Sequence, residues 1–355
     1  MASLKIETLQ LFSYSLKLKK PIVLHGSSLT NRQGLLLKMS DGRGRSTACD
    51  IAPLPHFSPD SLPQVAKAFR EIKEKLKGTF WSLKLLLSPH NILHDSLSPI
   101  AFPSLFFALE FALLSLMMPT FSLLSKVKVN LLLMGTEEEI LYKMRDSSYY
   151  PALKLKVGLR SPEQTLALLE KLVPYLTPGQ KFRIDVNRSW NLQQALFFTK
   201  HFPQSLCEYL EEPLKDPEDY LSFSNYSDFP LGFDETLLDT PLDFILSIPT
   251  KKAFVVKPTL LGSLQRMNAL YQKACRHKLD FVLSSSFESG LGHLMIAHLS
   301  RFLAIESPIG LDTYSWLEED VLNSPLVFSK GSLILPKENL IKPDLNLEAL
   351  VPIDA

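Results

Sequence analysis

The sequence predicts an α/β fold: a closed parallel barrel preceded by a smaller region of mixed strands and helix. Three observations carry this. From about Val127, short apolar or β-branched runs alternate with helical stretches, as in a parallel sheet. The units are many and in series, and no glycine-rich dinucleotide fingerprint follows any run, which favours a barrel over a doubly wound sheet. Charged residues also follow five of the runs: Pro151–Leu155, Phe182–Ile184, Leu206–Leu210, Leu231–Phe233 and Ala253–Val256. Parallel barrel strands converge at one mouth, so these side chains would meet there.

The elements follow in order. Glu7–Leu16 and Gln33–Met39 have strand character, and Asn31-Arg32-Gln33-Gly34 resembles a turn between strands. Ile51–Ser58 holds two prolines, which disfavour regular structure and suggest a rigid loop. Asp60–Lys77 carries Leu62, Val65, Ala68, Ile72 and Leu76 at helical spacing, so it reads as an amphipathic helix. Val127–Leu133 is strand-like. Thr136–Arg145 opens on an N-cap and three glutamates. Ser161–Leu176 opens on a capping serine and a proline in the first turn. Further helices are expected at Asn191–His201, Pro217–Phe223, Ser263–Lys278 and Leu291–Phe302.

Composition narrows the function classes. The chain has 355 residues, 46% of them hydrophobic, enough for a large domain and a smaller one. Its 38 basic and 37 acidic residues leave a net charge of +1, with no block of like charge, which disfavours nucleic acid as a partner. Cys49, Cys207 and Cys275 are far apart and read as reduced thiols of a cytoplasmic protein. The N-terminus lacks the basic-then-apolar form of a signal peptide. Ile100–Leu124 is rich in Phe, Leu and Met but contains Glu110, and Pro103 and Pro119 bracket a stretch short for a bilayer. It reads as a buried helix, with no membrane insertion.

The charged strand ends are Lys154-Leu155-Lys156, Asp185-Val186-Asn187, Glu211-Glu212-Pro213, Asp234-Glu235 and Lys257-Pro258. Taken singly, Asp185 or Asp234 could cap a helix, Glu211 and Glu212 could sit in a solvated loop, and Lys154 and Lys156 could face solvent. Together, in order and at βα spacing, they form a candidate site. Carboxylates from three successive strands repel unless a hard cation neutralises them, and oxygen ligands suit magnesium. Two lysines beside such a metal suit proton abstraction next to a carboxylate.

This set resembles the enolase superfamily, in its muconate-lactonising branch, and within it the o-succinylbenzoate synthase family. The superfamily's use of a Lys or His base with magnesium to stabilise an enediolate is general knowledge. Four further stretches carry the resemblance: Ile51–Ser58, Pro103–Glu110, Lys257–Ser263 and Ser284–Gly292, with Gly310–Thr313 fitting the last strand.

The resemblance implies a (β/α)7β modified TIM barrel with an α+β capping domain built from the N-terminal region and the C-terminal tail. The expected division is a cap over 1–98, a junction helix over 99–126, the barrel over 127–315 and a segment returning to the cap over 316–355. By motif match, Asp185, Glu211 and Asp234 would ligate magnesium (Mg2+), with manganese (Mn2+) a possible substitute. Lys156 would be base and then acid, and Lys257 would stabilise charge from the opposite face. Lys154, Asn187, Gly262, Ser263, Ser284 and Ser286 would bind the substrate, with Arg183 and Glu235 behind the ligands. Lys154 and the metal would lower the pKa of Lys156.

The implied reaction is a syn dehydration of a cyclohexadiene carboxylate, a small-molecule substrate, in menaquinone biosynthesis. Relatives that racemise N-succinylamino acids or epimerise dipeptides also use two opposed lysines, and a silent barrel kept for binding is a third reading. Cys49-Asp50 stands where the family usually has Gly-Glu, and His56 where it usually has glycine. Both departures lie in the cap. His293 and His298 are expected on a helix, outside the chemistry.

Overall fold

The computed structural model describes residues 3–24, 27–118, 126–336 and 342–353. Seven parallel strands lie side by side in chain order: Leu131–Leu133, Leu153–Lys156, Phe182–Asp185, Cys207–Glu211, Leu231–Phe233, Lys251–Val256 and Asp280–Leu283. An eighth stave closes them. Ile309 bridges Val129 and Gly310 bridges Ser284, both parallel. The result is a barrel of seven strand–helix units and a final short stave.

Residues two apart on a strand share a face. Tyr209, Ala253, Val255 and Val282 form a small apolar cluster of their own, apart from the main core. They come from the fourth, sixth and seventh strands and fill the barrel interior. Two residues further along the same strands stand Glu211, Lys257 and Ser284. Lys156 and Asp185 are paired in register with Glu211 in one lateral row. Alternation along each strand thus carries the charged set inward at the C-terminal mouth, above a packed interior.

The expected helices form, and Thr136 and Ser161 are the expected caps. Thr136, Ser161 and Asn191 cap Glu137–Met144, Pro162–Leu172 and Leu192–His201, each accepting the N–H of the third helical residue. The helix expected over Pro217–Phe223 runs Asp219–Tyr226. The apolar run folds as the helix Pro103–Met117, buried along nearly all its length; Pro119 and the residues to Leu124 lie outside the described residues. Among the described residues, no helix is long and apolar enough to cross a membrane.

The cap is an antiparallel sheet in which Leu4–Leu24 pairs with Ser27–Asp41, with Phe80–Trp81 and with Val351–Ile353 near the C-terminus. Ser46–Ile51 forms its outer strand. Helices Pro103–Met117 and Gly290–Phe302 both pack against Ser46–Ile51, joining sheet to barrel.

Two expectations need correction. Asn31–Gly34 is not a turn: it lies inside the strand Ser27–Asp41, with Gly34 paired to Tyr14 and Asn31 to Lys17. The glycine is there for close approach, since a Cβ at Gly34 would stand 2.1 Å from the Tyr14 hydroxyl. Nor is Val127–Leu133 one strand. Lys126–Lys128 pairs antiparallel with Ser332–Ile334, and Leu131–Leu133 opens the barrel.

Candidate active site

The barrel mouth gathers the charged side chains. Lys154 Nζ lies 2.5 Å from Glu211 Oε1 and 3.0 Å from Asp185 Oδ2. Lys156 Nζ stands 3.6 Å from Asp185 Oδ2, and its side chain is 30% exposed, the most open of the set. Lys257 makes an ion pair with Asp234 and lies 4.0 Å from Glu235 Oε1. Lys156 ends the second stave and Lys257 follows the sixth of eight, so the two lysines stand on opposite sides of the mouth.

Burial and charge oppose each other here. Burial, then the charges of Asp185 and Asp234, push Glu211 up to about 8, although Lys154 opposes them. Burial would also raise Asp185, but Lys154, Lys156 and Lys257 outweigh it and hold that carboxyl at about 2. Burial would discharge Lys154 and Lys257; Asp185 and Glu211 around the first, and Asp234 and Glu235 around the second, keep both well above the ordinary lysine value. Burial and Asp234 push Glu235 up to about 7.

The three carboxylates fit a hard cation by chemistry. They are an all-oxygen set on adjacent strands, and Glu211 Oε2 is buried with no hydrogen-bond partner. Among the described residues, no three acidic, His or Cys side chains stand ready-arrayed as ligands; the carboxylates turn instead toward Lys154 and Lys257.

The remaining expected residues are placed as follows. Asn187 has φ +49 and donates its N–H to Asp185 Oδ1 at 3.2 Å. Arg183 is buried below the mouth, bonded to both oxygens of Glu208 at 2.9 Å and to the Pro308 carbonyl at 2.7 Å, with its guanidinium over the Tyr209 ring. Gly262 has φ +86, and a Cβ there would meet the Pro99 carbonyl at 2.7 Å. Ser263 is buried and caps the helix Leu264–Arg276. Ser284 and Ser286 are buried in the loop after the seventh strand.

The chain matches two family models: "Enolase C-terminal domain-like" over residues 138–339 and "MenC, N-terminal domain" over 6–116. An o-succinylbenzoate synthase of Yersinia enterocolitica is 31% identical over 87% of this chain and 90% of its own length. This chain belongs to the o-succinylbenzoate synthase family of the enolase superfamily. The o-succinylbenzoate synthase of Pasteurella multocida is 29% identical over 98% of both chains.

Solved structures share the fold at lower identity. A muconate lactonizing enzyme of Pseudomonas fluorescens has a TM-score of 0.81 at 17% identity, covering 97% of this chain and 98% of its own. An enolase superfamily member of Roseovarius nubinhibens, complexed with magnesium, has a TM-score of 0.81 at 18% identity, covering 99% of both. Magnesium is the metal that enolase superfamily enzymes use.

Beyond the expected set, the o-succinylbenzoate synthase fold here uses buried carboxylates to hold its loops, which the sequence did not reveal. Glu212 binds the backbone of Asp234 and Thr236. Glu110, on the buried helix, accepts the Leu264 N–H at 2.5 Å, fixing the chain after Lys257. Glu288 accepts the Thr259 hydroxyl at 2.6 Å. The available signal was an acid inside an apolar run: Glu110 alone interrupts its helix.

Proposed function

We propose that this protein is a lyase, an o-succinylbenzoate synthase. It dehydrates 2-succinyl-6-hydroxy-2,4-cyclohexadiene-1-carboxylate to o-succinylbenzoate and water, within menaquinone biosynthesis. The reading is supported by the lateral row Lys156, Asp185 and Glu211, faced by Lys257, in a chain whose barrel matches the enolase C-terminal domain model and whose cap matches the MenC N-terminal domain model. Its three cysteines are free, in keeping with a cytoplasmic enzyme acting on a small carboxylate.

Asp185, Glu211 and Asp234 would hold magnesium, with manganese as a substitute. When bound, the metal supplies Lewis-acid stabilisation of the charge that builds on the substrate carboxylate. Lys156, at the open edge of the row, takes the proton next to that carboxylate. It then delivers the proton to the departing hydroxyl on the same face, which leaves as water. A C–H and a C–O bond break, and the ring becomes aromatic. Lys257, kept charged by Asp234 and Glu235, faces the ring from the other side and stabilises it by a cation–π contact.

Dehydration assayed with and without magnesium tests the reading. Activity lost in excess chelator and restored by magnesium supports it; full activity in chelator sinks it.

A further inference from the structure

The loop after the seventh barrel strand is held in a costly backbone shape. Phe287 has φ +59, the left-handed region that side chains with a Cβ avoid. Two cap residues anchor it. Arg32 is 2% exposed and donates Nε to the Phe287 carbonyl at 2.9 Å. Its other nitrogens reach the Ala52 and Gln33 carbonyls at 2.5 and 2.6 Å. Asp50 Oδ2 accepts both the N–H and the hydroxyl of Ser289, at 2.9 and 2.8 Å. Its other oxygen accepts the Tyr14 hydroxyl at 2.6 Å. From the barrel side, Glu288 accepts the Ser286 N–H at 2.5 Å.

Within this loop the Ser286 hydroxyl stands apart. The residue is 2% exposed, and its Oγ is buried with no hydrogen-bond partner. A buried hydroxyl without a partner is unfavourable, and the surrounding bonds keep the loop from turning it elsewhere. An anionic carboxylate would satisfy it.

We propose that Arg32 and Asp50 are positioning residues: from the cap they fix the loop so that Ser286 Oγ is presented to a carboxylate of the substrate. The identity of that substrate rests on the lyase reading. Neither residue touches the reacting atoms. Both act through the hydroxyl, across the seam between cap and barrel. Substrate affinity is thus set partly by cap residues distant in sequence from the barrel motifs.

The test is steady-state kinetics on the intact, magnesium-loaded protein with Arg32→Lys, Asp50→Asn, Ser286→Ala and the two double variants. Lysine keeps the charge but cannot span three carbonyls as the guanidinium fork does. Each single variant should raise KM about tenfold and change kcat by less than about threefold, because the lost contact serves ground and transition states alike. Adding Arg32→Lys or Asp50→Asn to Ser286→Ala should raise KM no further, since coupled residues are not additive. Calorimetric titration with o-succinylbenzoate should give the same ranking.

A purely structural role would lower the active fraction, so apparent kcat would fall with KM unchanged. That result, or KM effects that multiply in the double variants, overturns the proposal. If Arg32→Lys fails to fold, Asp50→Asn carries the same comparison. A wild-type protein that does not dehydrate the cyclohexadiene removes the lyase reading itself, whereas an active wild type with multiplying effects removes only the roles of Arg32 and Asp50.

Discussion

Glu212 Oε1 accepts the backbone N–H of Asp234 at 2.7 Å and that of Thr236 at 2.8 Å. Its other oxygen accepts the hydroxyls of Thr236 and Tyr220 and the Nε of Arg188. Two consecutive glutamates therefore have separate tasks. Glu211 faces the other carboxylates, while Glu212, at φ +43, fixes the residue that completes their set.

Replacing Glu212 tests that division. Glu212→Gln keeps the volume but turns an acceptor into a donor that would face N–H groups. Groups that orient metal ligands typically carry about 10–100-fold in affinity. Calorimetric titration should show magnesium binding weakened by that factor, with the barrel still folded by circular dichroism. Unchanged affinity would remove the positioning role.

The cap turn offers a stability test. His56 is exposed with φ +68, in a turn where Ser58 N–H meets the Leu54 carbonyl at 2.8 Å. A glycine there carries no Cβ strain. His56→Gly should raise stability by about 0.5–1 kcal/mol, read as a higher Tm. A lower Tm would mean that the imidazole makes a compensating contact.

Much of the barrel was legible because its signals are local. A strand of period two ending on a charge places that charge inside or outside by parity alone, and the row Lys156, Asp185, Glu211 follows. What failed needed tertiary knowledge. Gly34 carries the same letter whether it turns a chain or admits the Tyr14 ring. Val127–Leu133 has no breaker to mark where it passes from one sheet to another. Arg32 reads as part of a turn and Asp50 as a departure from the family pattern, because their partners, Phe287 and Ser289, lie far along the chain.

Stability should depend on pH through His298. This residue is buried on the helix Gly290–Phe302, and burial pushes its pKa down to about 4. Between about 4 and the ordinary 6.5, the unfolded chain binds a proton that the native protein does not. Its contribution is therefore full above 6.5 and is lost as pH falls toward 4, by up to about 3 kcal/mol. Thermal melts should show wild type losing stability relative to His298→Leu as pH falls across this range. Parallel curves would contradict the assignment.

The two lysines differ in what a substitution should leave behind. Lys257→Arg keeps a cation facing the ring and should retain part of the dehydration that Lys257→Ala loses, since arginine holds charge but is a poor proton acceptor. An arginine variant no better than alanine would make Lys257 an acid or base.

The central claim is that Lys156 performs both proton transfers, and the loss of diene absorbance in Lys156→Ala tests it most directly. Proton transfer by a placed side chain contributes about 10²–10⁴-fold, so the variant's dehydration rate should fall by at least that much with the fold intact. A Lys156→Ala protein within about tenfold of wild type would contradict the account.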